Sequence, residues 1–198
     1  MSEVGYAVEG VTDEPVAERI IVRAGHVPRR ILTAGGKARL DTKLPGYNRS
    51  ARHRLWLVLR DLDQDDGRVC LVQLKRVLVD GETAPGLAFR FAVRSVESWL
   101  LADIEGFSQF FSVRPEYVPR DPDALTNPKG ALIEACRRSR SRAIRDGIVP
   151  RQGSGRVVGP EYTATIREFA GQVWDIDRAG IESQSLAKAI GEVQRISG

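Results

Sequence analysis

The sequence predicts an α/β fold: a mainly parallel sheet flanked by helices over residues 1–112, followed by a loop-rich, mainly helical part over residues 113–198 that packs on this core. Three observations carry this. Strand-like and helix-like stretches alternate through the first hundred residues, as they do in parallel sheets. The run Leu55-Trp56-Leu57-Val58-Leu59 is short, continuous and apolar, as a strand buried on both faces must be. Acidic residues fall at or just past the ends of separate predicted strands, where ligand sites gather in such sheets.

Residues 6–8 read as a short strand running into Glu9-Gly10. Thr12 is a candidate helix N-cap, with Asp13 and Glu14 in the first turn and Pro15 where proline is tolerated. Val16, Ile20, Ile21 and Ala24 recur at helical spacing, and Gly25 ends that helix. A second strand over 30–33 precedes a turn at Gly35-Gly36-Lys37. Residues 38–54 are polar, rich in Arg and Lys, and broken by Pro45-Gly46. After the central strand a helix is expected over 66–79, with Val69, Val72 and Val77 loosely periodic. Asp80-Gly81 and Pro85-Gly86 mark a loop, residues 87–93 the next strand, and the segment from Arg94 to Asp103 begins a helix.

The remainder differs in kind. Pro115, Pro119, Pro122 and Pro128 punctuate a loop-rich stretch before a helix over 129–139. Arg137, Arg138, Arg140, Arg142 and Arg145 crowd together ahead of a glycine-rich stretch, 152–159, read as a loop. Tyr162, Ile166, Phe169, Ala170 and Val173 make an amphipathic helix, and a final helix covers 186–196.

Composition bounds the function. Hydrophobic content of 42% and charged content of 28% suit a globular protein with a sizeable core. The net charge of +4 permits nucleic-acid binding without demanding it. Cys70 and Cys136 lie far apart and are expected as buried thiols in a reducing compartment, and His26 and His53 are isolated, which argues against zinc. No apolar run approaches membrane-spanning length and the N-terminus has no signal-peptide pattern, so a cytoplasmic protein with no membrane partner is expected.

Chemistry is concentrated in the acids. On an extended backbone Asp61 and Asp63 point the same way and can aim at a common point. Carboxylates that close repel unless a proton or cation lies between them, and Mg2+ (or Mn2+) prefers such oxygen ligands. The competing account is an acidic turn in which Asp65 or Asp66 caps the next helix, and Asp-x-Asp alone does not choose. Asp13, Glu14 and Glu97 have a helix-start explanation, with Ser95 capping for Glu97. Glu9, between a strand and Gly10, has none. Gly35-Gly36-Lys37 lacks the remaining residues of a nucleotide-binding P-loop, leaving Lys37 as a turn residue near a phosphate. Arg137 to Arg145 fit either a phosphate-binding surface or a solvated helix face, and Asp175-Ile176-Asp177 reads as a cap.

Taken in order, Glu9-Gly10-Val11-Thr12-Asp13, Asp61-Leu62-Asp63 and Ser95-Val96-Glu97 resemble the TOPRIM domain of the overcoming-lysogenisation-defect nucleases. The likeness extends over nearly the whole chain to small stand-alone bacterial TOPRIM-like proteins, through Val93 to Asp103 and Ser183-Gln184-Ser185-Leu186. The resemblance implies a Rossmann-like core and two divalent metals on Glu9, Asp13, Asp61, Asp63 and Glu97, with Lys129 of Asn127-Pro128-Lys129 assisting at the phosphate. It implies a Mg2+-dependent DNA or RNA nuclease with a role in phage defence. Those nucleases also carry an ATPase domain. This chain has no P-loop, so any ATPase would be a separate partner, and a non-catalytic TOPRIM-like module serving such a partner or a nucleic acid is the alternative.

Overall fold

The computed structural model describes residues 1–63 and 70–196. Its sheet has four strands, β1 (Glu3–Val8), β2 (Val27–Thr33), β3 (Leu55–Asp61) and β4 (Leu87–Ala92), all parallel and ordered β2-β1-β3-β4. The chain moves from β1 to β2 on one side, then crosses to place β3 on the other. The order therefore reverses between β1 and β3, and in a Rossmann-like sheet of this kind a crevice opens at the carboxyl ends of those two strands.

Side chains alternate across the sheet. On β3, Leu57 and Leu59 enter one apolar cluster, while Trp56 and Val58 enter the other. Burial on both faces is why the β3 sequence is continuously apolar. Arg60 follows on the second face, nearly buried, and forks onto Asp41 at 2.6 and 3.0 Å.

The helices are α1 (Glu14–Arg23), α2 (Lys37–Ser50), α3 (Leu71–Val79), α4 (Val96–Ala102), α5 (Ile104–Phe110), α6 (Pro128–Arg137), α7 (Arg142–Ile148), α8 (Tyr162–Glu168), α9 (Ile176–Glu182) and α10 (Gln184–Arg195). Between α5 and α6 lie two short 3-10 turns, and α8 runs on into a π-helical stretch, Phe169–Val173. Leu40 and Leu44 of α2 and Val79 of α3 pack on one face of the sheet. On the other face a single apolar cluster runs from Val4 to Ile196, so residues beyond 112 share the core of the sheet. The indole of Trp174 donates to the Trp99 carbonyl at 3.1 Å, and that of Trp99 to Ser185 Oγ at 2.6 Å, tying α4 to the C-terminal helices.

Three expectations need correction. Residues 37–50 form a helix despite Pro45-Gly46. Leu40, Leu44 and Asn48 recur four apart on its buried side, and the Asn48 amide donates to the Val79 and Glu82 carbonyls while accepting from the Ala84 N–H. Those tertiary contacts outweigh the single ladder hydrogen bond a proline forfeits. In α3, Val72 and Val77 are exposed, and the buried side is set by Val79 with Leu74 and Leu78. The expected start of that helix, with Asp65, Asp66 and Val69, lies outside the described residues. Cys70 is exposed rather than buried, while Cys136 is buried as expected.

Candidate functional site

The site forms at the carboxyl ends of β1 and β3. Glu9 follows β1 directly, and its Oε1 accepts the backbone N–H of Asp61, the last residue of β3, at 2.8 Å. Asp13 is buried at the N-cap of α1 but makes no capping bond with its side chain. Its Oδ2 instead accepts the Gly10 N–H at 2.9 Å and its Oδ1 the Thr12 hydroxyl at 3.1 Å. Asp13 itself, not Thr12, is the N-cap residue of α1. Asp61 Oδ1 accepts the N–H of Val96, the first residue of α4, at 3.2 Å.

Glu97, in the first turn of α4, is only 2% exposed. Ser95 Oγ donates to its Oε2 at 2.6 Å, the Tyr162 hydroxyl donates to its Oε1 at 2.8 Å, and Lys129 Nζ lies 3.3 Å from the same oxygen. Lys129 is held at the start of α6 by Pro128 and by the Asn127 cap, whose Oδ1 accepts the Gly130 N–H at 2.9 Å. The structure thus brings Glu9, Asp13, Asp61, Glu97 and Lys129 together from four separate segments.

Their electrostatics follow from crowding in a water-poor crevice. Burial, reinforced by the charges of Asp13 and Asp63, pushes the Glu9 carboxyl up to about 7, against the opposing Asp61 N–H. Burial and the Glu97 charge push Asp13 up to about 6. Asp61 is raised well above the ordinary carboxylate range, first by burial and then by Asp13, Glu97, Glu9 and Asp63. Burial works to lower Lys129, but the carboxylates of Glu97, Asp61 and Asp13 outweigh it and raise the ammonium. The Tyr162 phenol is raised by burial and by Glu97, so it serves as a neutral donor. Perturbations of this kind, converging in one crevice, mark functional sites more often than structural ones.

Asp63 departs from expectation. β3 ends at Asp61, Leu62 is buried, and Asp63 has a left-handed φ of 51°, so the two aspartates do not share an extended backbone. The Asp63 carboxylate is exposed at the rim and pairs with Lys37 at 2.7 Å, while its carbonyl accepts from Arg94 at 2.7 Å. Together Lys37, Asp61, Asp63, Arg94, Asn127 and Lys129 line a cleft of about 580 Å3.

Sequence reasoning missed Arg94 and Tyr162. Arg94 had a signal, since it follows β4 and so lies at a strand end like the acids. Tyr162 had none, because 65 residues separate it from the carboxylate it contacts. Asp175 is a cap, as expected, accepting from the N–H groups of Asp177 and Arg178 at 3.0 Å each.

The donors suit a hard divalent cation in chemistry: carboxylate oxygens from several segments, with proton affinities raised by one another. Among the described residues, however, no group of three or more His, Cys, Asp or Glu side chains is arranged to hold a metal ion as it stands. Likewise, no helix among them is long and apolar enough to cross a membrane. Comparison of the chain with protein-family models, with curated proteins and with solved structures returns no match.

Proposed function

We propose that the chain is a divalent-metal-dependent phosphodiesterase acting on DNA or RNA, built on a TOPRIM-like version of its Rossmann-like fold. The observation that carries this reading is the mutual raising of Glu9, Asp13 and Asp61 at the switch point of the sheet, beside Glu97 and Lys129. Asp13, Asp61 and Glu97 would hold Mg2+ or Mn2+, with Glu9 alongside. The ion would polarise the phosphodiester and lower the pKa of a bound water.

The chain's own residues supply the rest. Lys129 and Lys37 face the cleft and offset charge on the phosphate oxygens. Glu9, with a carboxyl near 7, exchanges its proton in the neutral range and is suited to take one from the attacking water. Tyr162 and Ser95 orient Glu97. The test is cleavage of labelled DNA and RNA with Mg2+ or Mn2+. Asp61→Asn should abolish it while the circular dichroism spectrum is retained, and unchanged cleavage by that variant would sink the mechanism.

One observation favours a second reading. Glu97 already has three donors, including a lysine, so part of the acid set is neutralised from within. In that reading the chain is a non-catalytic TOPRIM-like module working with a separate ATPase. Calorimetry separates the two: Mn2+ binding that disappears in Asp61→Asn supports the enzyme, and no binding in either protein supports the module.

A further inference from the structure

The chain's positive charge is not spread evenly. Residues 137–160 hold seven arginines against one acid, Asp146, a net of +6, so the rest of the chain sums to −2 within a total of +4. Four of the seven are engaged locally. Arg137 and Arg138 share Glu134, Arg142 pairs with Asp146, and Arg145 donates to the Ser139 carbonyl. Arg151 and Arg156 have no carboxylate partner among the described residues, and both are exposed.

These two arginines sit on a loop with a rigid base. The Gly159 N–H donates to the Ile148 carbonyl and the Glu161 N–H to the Gly147 carbonyl, both at 2.9 Å. At Gly159 a Cβ would come within 2.3 Å of the Gly147 carbonyl oxygen, so only glycine permits this closure. Arg151, Ser154 and Arg156, with Val158, Gly159 and Pro160, then line a concavity of about 390 Å3. Three residues past Gly159, Tyr162 begins α8 and reaches Glu97 in the acidic cleft. The loop base and the cleft are thus joined through one rigid turn.

We infer that Arg151 and Arg156 form a phosphate-binding surface for a polynucleotide backbone that continues out of the cleft. This deepens the nuclease reading and rests on it for the role of the surface, though not for binding itself. Arginine forks match phosphate oxygens two at a time, and polyphosphate binding needs charge rather than apolar contact. The patch has the charge and lacks the aromatic and apolar centre of a protein-binding surface, Val157 being its one exposed large apolar side chain.

The test is fluorescence anisotropy with labelled single-stranded and duplex DNA of about 20 nucleotides, without divalent metal, across a salt series. Arg151→Gln/Arg156→Gln should weaken binding roughly tenfold near 0.1 M salt and reduce the salt slope by about 2 on duplex or about 1.4 on single strands. Arg151→Lys/Arg156→Lys should keep the slope. Both side chains are exposed, so thermal midpoints should match the parent. Unchanged affinity and slope in the Gln variant overturn the inference, as does binding to anionic phospholipid vesicles with none to oligonucleotides. Asp61→Asn separates the two claims. Cleavage by Asp61→Asn removes the mechanism and leaves the surface, whereas normal binding by the Gln variant removes the surface and leaves the mechanism.

Discussion

Asp103 caps the start of α5 and is fully buried, Asp61 ends β3 and is partly buried, and their neighbours differ in kind. Asp103 is fully buried between α4 and α5, and its two oxygens accept from the N–H groups of Gly106 at 3.0 Å and Asp175 at 2.8 Å and from Arg178 Nε at 2.8 Å. Every lone pair that burial would orphan has a donor. Asp61 has one backbone donor at 3.2 Å and is otherwise surrounded by Glu9, Asp13, Asp63 and Glu97. A carboxylate buried for the fold collects donors. One buried among other carboxylates stores repulsion that only a proton or a cation relieves.

The comparison is most exposed to failure in stability. Asp103→Ala leaves two backbone N–H groups without an acceptor and removes one of three carboxylates around Arg178, and should cost about 2–4 kcal/mol in urea or thermal unfolding. Asp61→Asn should leave stability at neutral pH unchanged or raise it by about 1 kcal/mol, since it removes a repelled charge. Equal losses in the two variants would erase the distinction.

A smaller effect sharpens it through pH. Glu9 and Asp13 have raised folded-state values of about 7 and about 6, against ordinary values of 4.5 and 3.8. The folded chain therefore holds protons that the unfolded chain has released, and this favours folding at low pH. That stability is present in full below about 4 and is lost as pH rises to about 7. In metal-free buffer the cluster should thus lower the thermal midpoint across this window, and Mn2+ should restore it above pH 7. A midpoint insensitive to Mn2+ at pH 8 would count against a cation as the relief. The smallest effect lies at the cap beside Asp103: Asp175→Ala should cost about 1 kcal/mol at any pH above the carboxylate range, because it removes an acceptor for two helix N–H groups and a partly exposed ion pair with Arg178.

Much of the candidate site was legible because it obeys a simple positional rule. Glu9, Asp61 and Glu97 follow strands whose apolar patterns are plain, and parallel strands bring their carboxyl ends to one edge. Lys129 entered through its family resemblance and lies 3.3 Å from Glu97. Asp63 was misread because a period of two holds only while the backbone stays extended, and residue 63 turns left-handed. The α2 helix was misread for a related reason. Pro45 and Gly46 are strong local signals, and what overrides them is an Asn48 side chain threaded into a loop more than thirty residues away.

Short apolar runs joined by helical crossovers specify a parallel sheet, while the order β2-β1-β3-β4 is a property of the folded structure. By itself, then, the sequence determined the α/β class, the strands and the edge at which acids would gather. Only tertiary packing decided which acids face inward. It turned Asp13 back onto Gly10, sent Asp63 out to Lys37, and delivered the Tyr162 hydroxyl and Lys129 ammonium to one oxygen of Glu97. The physical reason is that a carboxylate's role depends on its solvation and its neighbours' charges, and both are properties of contacts made across the chain rather than along it.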